Sequence, residues 1–565
     1  MNKKKFLSVL LTGMLLTTSL TGCGSSTESG NDENVNSEQV MNTVMFSPIT
    51  FDSSACYDGD SSTIIQETQE GLVRIKNENG KNEFDPAGAE SWEISDDGLE
   101  WTFKLRDNKW SDGEDVVASQ YVDAIKRVLD PKNGFRYAFF AFDIKNAEEY
   151  YNGTVSADDI GIEAIDDHTL KITLKEVTPY FLSKLVYPIF FPIRLDVIEA
   201  TGDSYGEDYT KIVYSGPFKI DSYESDNKMV LVKNDSFWDA ENVKLEKINM
   251  TSITEFATQA QLFESHQLDV TGATQDYVEK WMQAADEGKW KAVVADTPNV
   301  SYLQFNQKTK GPSGLMGNAK IRKAIGFSID RDAYTKDILA RYSPAYGIVP
   351  TVIASGDKMY REEVEQPIKD EASEYEGNPE KIQELLHEGL KELGKDTSNL
   401  KDITIEYITT GESALARQQQ EWIKQQIENN LGVNLKISVF GDYKLYLAAE
   451  ANNEYDICFG GWNADYDDPM TFLDIWITNG ENNTIGYSNP EYDNLLDTLK
   501  GEKDEDKRLE TYKQLEKILI KDDAGISPIT YGDTRRFTQN YVKEFQSVTF
   551  GPTYEFRWAY IDGKN

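Results

Sequence analysis

Cysteine and histidine are scarce in this chain of 565 residues, which contains three of each. Three cysteines cannot form a disulfide framework, and no Cys-x-x-Cys pair is present. The histidines, His168, His266 and His387, lie far apart in the sequence. A metal site built on histidine or a Ser-His-Asp triad is therefore disfavoured.

Basic residues are also underrepresented, because 58 lysines and arginines face 97 acidic residues and the net charge is −39. Such a negative field repels phosphate backbones, which argues against a nucleic-acid partner. Nucleotide-binding glycine loops, a G-x-S-x-G elbow and an H-E-x-x-H helix are all missing. The acidic run at Asp465, Asp467 and Asp468 lacks the glycine and glutamate that a calcium loop requires. The sequence thus predicts no cofactor and no metal, and none of these motifs supports an enzymatic activity.

The only long apolar run lies at the start of the chain, where three lysines precede the segment Phe6–Leu16. This segment is too short to span a bilayer, so residues 1–22 are predicted to be a secretory signal. Their end, Leu20-Thr21-Gly22-Cys23, resembles a bacterial lipobox, in which the cysteine is lipidated and becomes the new N-terminus. An ordinary signal peptide with an incidental cysteine is the alternative. Residues 23–39 are polar and predicted to form a tether.

The composition, 39% apolar and 27% charged, is that of a globular protein. At roughly 150 residues per domain, the length predicts three or four domains. Secretion would expose Cys56 and Cys458 to oxidising conditions. We expect both to be buried free thiols, and a disulfide between them is the alternative.

Hydrophobic periodicity predicts strands mixed with helices, and hence an α/β fold. Residues 101–106 and 169–174 alternate as strands around a helix at 116–129, and residues 218–222 and 229–233 read as a hairpin. Further along, strands at 403–408, 433–439 and 455–459 alternate with helices at 412–430 and 443–451. This alternation predicts a mostly parallel sheet with helices on both faces. Because ligands bind beyond the carboxyl ends of such strands, residues 460–469 are the predicted site.

Several motifs resemble those of the extracytoplasmic oligopeptide- and dipeptide-binding proteins of ABC importers (solute-binding protein family 5, cluster C). They occur in the order typical of the family: Glu70-Gly71-Leu72, Ala89-Glu90-Ser91-Trp92, Asp97-Gly98-Leu99, Trp110-Ser111-Asp112-Gly113, Ser215-Gly216-Pro217-Phe218, Ile321-Arg322-Lys323-Ala324-Ile325 and Gly461-Trp462-x-Ala464-Asp465-Tyr466. The resemblance runs from about residue 45 to 560.

The resemblance implies a bilobal periplasmic-binding-protein-like fold (type II, cluster C) with three domains and a hinge. Domain I would be discontinuous and comprise residues 40–69, 194–299 and 532–565. Residues 70–193 would form an inserted domain II, and residues 300–531 would form domain III, the second lobe. The lobes would close over the ligand by hinge motion.

The implied function is capture of a peptide between the lobes and its delivery to the permease and ATPase of an ABC importer. The protein would be a monomer, anchored by lipid on Cys23 to the outer face of the bacterial cell membrane. Two alternatives remain: the same fold with another cargo (a nickel chelate, haem, an oligosaccharide or a signalling peptide), and a secreted hydrolase. The scarcity of histidine disfavours a metal cargo.

The resemblance also assigns site residues. Asp465 matches the aspartate that pairs with the α-ammonium of the peptide. Gly461, Trp462 and Asn463 match positions that pair with the peptide backbone, and Trp462 would also wall a pocket. Tyr137 matches a tyrosine near the start of the ligand. The opposite strand of the site would be formed by Tyr57, Asp58 and Gly59.

Two positions depart from the family pattern. Tyr57 replaces a glutamate and Phe459 replaces an arginine that some oligopeptide binders carry, so the resemblance assigns no partner to the peptide carboxylate. Arg417, at the start of a predicted helix, is a candidate because a helix N-terminus also favours an anion. A solvated helix arginine is the alternative.

Overall fold

The computed structural model describes residues 38–78, 81–273, 275–395, 398–441, 443–480, 482–548, 550 and 553–564. The predicted signal peptide, Cys23 and nearly all of the predicted tether lie outside these residues. Ser37–Asn565 forms one compact unit. Within the described residues, no helix has the length and apolar character needed to cross a membrane.

The strands of the described residues are β1 (Val40–Val44), β2 (Val73–Glu78), β3 (Lys81–Pro86), β4 (Ala89–Ile94), β5 (Glu100–Leu105), β6 (Ile162–Asp166), β7 (Thr169–Thr173), β8 (Phe218–Glu224), β9 (Lys228–Lys233), β10 (Lys247–Thr251), β11 (Val270–Gly272), β12 (Lys291–Phe305), β13 (Ser343–Pro344), β14 (Ala354–Ser355), β15 (Lys358–Met359), β16 (Thr404–Thr410), β17 (Asn434–Phe440), β18 (Ile457–Asn463), β19 (Ile526–Thr538), β20 (Val542–Lys543) and β21 (Tyr560–Ile561).

The α-helices are α1 (Gly59–Thr68), α2 (Ala118–Leu129), α3 (Ala147–Tyr151), α4 (Phe181–Lys184), α5 (Leu195–Thr201), α6 (Phe256–Glu264), α7 (Gln275–Asp286), α8 (Ala319–Phe327), α9 (Arg331–Ala333), α10 (Tyr360–Glu363), α11 (Lys369–Tyr375), α12 (Pro379–Glu392), α13 (Ala414–Leu431), α14 (Tyr443–Ala451), α15 (Met470–Leu473), α16 (Pro490–Leu499) and α17 (Glu505–Glu516).

Two four-stranded sheets lie in the first half of the chain, with strand orders β1-β10-β9-β8 and β4-β5-β7-β6. The predicted hairpin is confirmed, because β8 and β9 pair antiparallel from Phe218↔Lys233 onwards. In β5 the alternation predicted from the sequence buries Trp101, Phe103 and Leu105 on one face. A period of two is what a sheet with one covered face requires.

The largest sheet has the strand order β11-β19-β12-β18-β16-β17. Its β16, β17 and β18 are parallel, as the alternation of strands and helices predicts. The prediction of a mostly parallel sheet is wrong for the remainder, because β18 pairs antiparallel with β12 and β12 pairs antiparallel with β19. The strands β12 and β19 come from distant parts of the sequence, and a local pattern cannot predict which strands they pair with.

The long strands β12 and β19 run side by side, and their register is interrupted between Asp296 and Val300. The predicted boundaries between domains I and III, at residues 299/300 and 531/532, fall at this interruption. An irregularity bends a strand pair locally, which suits a connection between two lobes. The domain boundaries themselves stay a prediction.

β18 has a partially free edge. It pairs with β12 along its whole length, but β16 contacts it only through Ile457 and Cys458. Within the described strands, Phe459–Asn463 is therefore paired on one side alone. The sequence predicts this strand to end at Phe459, which is wrong: the glycines that look like a turn signal continue the strand to Asn463.

Candidate functional site

A cavity of about 810 Å³ lies beside the free edge of β18, and we call it the first cavity. Its lining comes from segments of all three predicted domains. It includes seven of the eight ligand-contact residues predicted from the sequence, which are Tyr57, Gly59, Tyr137, Gly461, Trp462, Asn463 and Asp465. The remaining lining includes Cys56, Asp58, Ser62, Gly134, Phe135, Arg136, Phe139, Phe142, Tyr151, Tyr187, Asn482 and Phe550.

The edge of β18 supplies backbone atoms to this cavity. Gly461 and Asn463 are exposed, and Trp462 is half-buried. The Trp462 indole Nε1 lies 3.5 Å from Thr471 Oγ1, and this contact orients the ring. An extended chain laid against this edge could pair with β18 as an added strand.

Asp465 lies two residues after the end of β18 and is half-buried. Its backbone N–H donates to Thr471 Oγ1 at 3.1 Å, and the Tyr137 hydroxyl donates to its carboxylate at 3.4 Å. Burial raises the pKa of Asp465 to about 6, while the Tyr137 hydrogen bond and the Lys184 ammonium lower it. The carboxylate is thus poorly solvated, and a ligand cation would stabilise its ionised form.

Tyr137 belongs to a cluster of aromatic rings on the wall of the first cavity. Its ring stacks on Tyr187 with centroids 6.1 Å apart and lies 5.4 Å from Phe139. Burial and the nearby Asp465 carboxylate raise the pKa of Tyr137, so its hydroxyl stays protonated and can donate. The dense aromatic run after Gly134 is a sequence signal that points to this wall.

Tyr57, Asp58 and Gly59 do not form a strand, so that prediction is wrong. Asp58 is the N-cap of α1, and its carboxylate accepts the Ser61 N–H at 2.8 Å. An aspartate followed by small polar residues is a typical start of a helix, which explains the difference. Tyr57 is 38% exposed and Gly59 is exposed, so both border the cavity from the start of α1.

Arg136 is a lining residue that sequence reasoning missed. Its guanidinium lies 5.1 Å from the centre of the Tyr57 ring. It is the only cation among the described residues lining the first cavity, which it shares with the carboxylates of Asp58 and Asp465.

Arg417 is not brought together with the other predicted residues. It is exposed in the first turn of α13 and lines neither the first cavity nor the one beside it. The helix begins at Ala414, two residues later than predicted, because Ser413 caps it and accepts the Ala416 N–H at 3.0 Å.

A second cavity, of about 340 Å³, lies next to the first. The two share Gly461, Trp462 and Asn482. The second cavity is further lined by Tyr302, Gln304, Ile408, Thr409, Thr410, Tyr446, Glu450, Phe459, Gly460 and Ile475. Phe459, one of the two departures from the family pattern, therefore faces this space rather than the first cavity.

Contacts between the predicted domains II and III lie close to Asp465. Tyr180 and Tyr466 stack with centroids 4.3 Å apart and an interplanar angle of 12°. The Asp467 N–H donates to Ser183 Oγ at 3.3 Å. Neither tyrosine lines the first cavity, so the stack touches the site through Asp465, which Tyr466 follows in the chain, and through the arrangement of the two domains.

Cys56 and Cys458 are both free and buried, which confirms the preferred prediction for these thiols. Burial raises the pKa of each thiol, so neither is reactive as a thiolate near neutral pH. The acidic run after β18 also has structural roles: Asp467 accepts the Ala354 N–H at 2.8 Å, and the buried Asp468 accepts from Tyr512 and Arg508.

Comparisons with known proteins identify the family of this chain. The family of bacterial extracellular solute-binding proteins, family 5 Middle, matches residues 83–484. The chain is 31% identical over 545 residues to the oligopeptide-binding protein OppA of Bacillus subtilis, covering 94% of this chain and 95% of that protein.

Solved structures are similar along nearly the whole chain. One is the substrate-binding domain of an oligopeptide ABC transporter from Bacillus anthracis, with a TM-score of 0.76 and 34% identity, covering 94% of this chain and 100% of the other. Another is Listeria monocytogenes OppA bound to peptide, with a TM-score of 0.74 and 32% identity, covering 93% of this chain and 99% of the other.

Proposed function

The chain belongs to the bacterial extracellular solute-binding proteins of family 5, and from that membership we propose that it captures peptides for an ABC importer. The observation that carries the proposal is the cavity beside the free edge of β18. This cavity is also lined by Asp465, whose carboxylate is half-buried. All peptides have a backbone, which a free strand edge can pair with. Nearly all have an α-ammonium, which a carboxylate can pair with, so both groups recognise features that peptides share.

We infer that Asp465 binds the α-ammonium and that Tyr137 holds its carboxylate in place. Gly461, Trp462 and Asn463 then face the peptide backbone, and the segment from Tyr57 to Gly59 closes the opposite side. The aromatic wall and the hydroxyl and amide groups around it leave room for different side chains, with water filling the remainder.

The same proposal includes no catalysis, because delivery requires only binding and release. Anchoring through a lipid on Cys23 would keep the protein at the outer face of the membrane, beside the permease and ATPase. Two or more acyl chains give stable anchoring, since each buried CH₂ contributes about 0.8 kcal/mol. We propose that the protein acts as a monomer.

Native mass spectrometry of protein purified from cells tests the proposal, followed by incubation with a defined peptide library. We expect peptides to co-purify and library peptides to bind without being cleaved. Cleavage would favour a hydrolase, and co-purification of a chelate, haem or sugar without peptide binding would favour the same fold with another cargo.

A further inference from the structure

The second cavity contains a single charged side chain among its described lining residues, the carboxylate of Glu450. Its other lining groups are neutral, and they include the rings of Tyr302, Tyr446 and Phe459 and the amide of Gln304. A ligand group that enters this space therefore meets one negative charge and aromatic faces, with no lining cation to offset them.

Glu450 lies near the end of α14 and is half-buried. Its carboxylate accepts a hydrogen bond from Thr484 Oγ1 at 3.4 Å. Burial raises the pKa of Glu450, and only the Thr484 hydrogen bond opposes this. A carboxylate in this state gains most from a cation that arrives with the ligand, because the cation restores the stabilisation that burial removed.

The second cavity also lies where a bound peptide would pass. It shares Gly461 and Trp462 with the first cavity, and its Phe459 and Gly460 belong to the same free edge of β18. A peptide whose N-terminus meets Asp465 would run antiparallel to β18, from Asn463 toward Phe459. At about 3.4 Å per residue, roughly the third to fifth peptide residue reaches the second cavity.

We propose that the second cavity is a subsite for a basic peptide side chain, lysine or arginine, held by Glu450. This inference rests on the proposed function and names the class of peptide that the site prefers. The aromatic rings support the same choice, since a cation is attracted to their faces. A peptide carboxylate in this space would face Glu450 as a like charge, so the preferred peptides extend beyond it.

Calorimetry with alanine-based hexapeptides tests this inference. Each peptide carries one lysine, one norleucine or one glutamate at a single position from two to five. At one of these positions we expect lysine to bind about tenfold more tightly than norleucine, and glutamate to bind more weakly than both. Norleucine has nearly the same length as lysine without the charge, so the comparison isolates the ionic contribution.

Two variants with the same change of charge separate the subsite from the general negative field. In Glu450→Gln the preference for lysine should fall to about twofold or less. In Glu454→Gln the preference should persist, because Glu454 is exposed and lines neither cavity. The wild-type comparison of peptides does not depend on the folding of either variant.

A wild-type protein that binds the hexapeptides without preferring lysine at any position would overturn the subsite and leave the proposed function intact. A preference that survives in Glu450→Gln would also overturn it. If no hexapeptide binds at all, the proposed function itself fails and the subsite falls with it.

Discussion

At the scale of single residues, Asp465 combines a charge with partial burial. Its carboxylate accepts the Tyr137 hydroxyl, and the raised pKa of about 6 reflects a net loss of solvation. An α-ammonium placed against it would lower this pKa. Binding must then expel any proton that the free carboxylate carries, which links affinity to pH.

We therefore predict that peptide affinity falls as the pH falls through about 6, by up to about tenfold per pH unit. The sign follows from the pKa, which is higher in the free protein than in the complex. Calorimetry from pH 7.5 to 4.5 on wild type and Asp465→Asn measures the effect. Asp474, whose pKa burial raises to about 7, titrates in both proteins, but the Asp465 charge adds to this rise, so Asp465→Asn also lowers the pKa of Asp474. Parallel pH profiles for the two proteins would contradict the assignment.

At the scale of elements, the stack of Tyr180 on Tyr466 joins the predicted domains II and III outside the first cavity. An aromatic pair contributes about 0.5–1.5 kcal/mol beyond its buried area. We predict that Tyr180→Ala weakens peptide binding about two- to tenfold, mainly through faster dissociation, because it removes a contact that holds these two predicted domains together beside the first cavity.

Tyr223→Ala is the matched control, since Tyr223 packs edge-on against Phe51 within the predicted domain I. Stopped-flow measurement of peptide release should show faster dissociation for Tyr180→Ala and an unchanged rate for Tyr223→Ala. Equal rates in both variants and in wild type would show that the stack does not hold the domains closed.

Sequence patterns predict most of these elements where the signal is local. The helix α13 and the parallel strands around it follow from periodicity, and Gly432 ends the helix with a φ of 75°. Patterns fail where distant segments decide the structure. The glycines after Phe459 look like a turn, yet pairing with β12 keeps them extended.

The site residues likewise divide into those that a local sequence signal predicts and those that only the folded chain brings together. Asp465, Trp462 and Tyr137 were identified by resemblance, and the structure brings them to one cavity. Arg136 directly precedes Tyr137 in the chain but belongs to no motif, and Glu450 reaches the second cavity only because folding brings α14 beside β18. In a sequence with 97 acidic residues, no local signal distinguishes Glu450 from the others.

At the scale of the whole molecule, closure of the lobes around a peptide is the expected motion. Peptide binding should reduce the radius of gyration measured by solution X-ray scattering. It should also raise the melting temperature by an amount that grows with peptide concentration, because the ligand binds only the folded state. Tight binding with an unchanged scattering curve would argue against hinge closure.

Anchoring is a second property of the whole molecule, and it depends on the segment before the described residues. We predict that Cys23→Ser, once its signal segment is removed, releases the protein from the membrane fraction, because the residues that then precede the described part of the chain are almost all polar. Fractionation of cells that express each protein measures this. If a normally processed Cys23→Ser protein stays in the membrane fraction, the anchor is not at Cys23.

The central claim is that Asp465 pairs with the α-ammonium of a bound peptide. A double-mutant cycle tests it most directly: calorimetry on wild type and Asp465→Asn, each with one peptide and its N-acetylated form. Removing either partner alone should cost about 2–4 kcal/mol of binding free energy, because the other charge stays in the cleft unpaired. Removing both should cost little more than removing one. If the two losses simply add, Asp465 does not contact the amine and the claim is wrong.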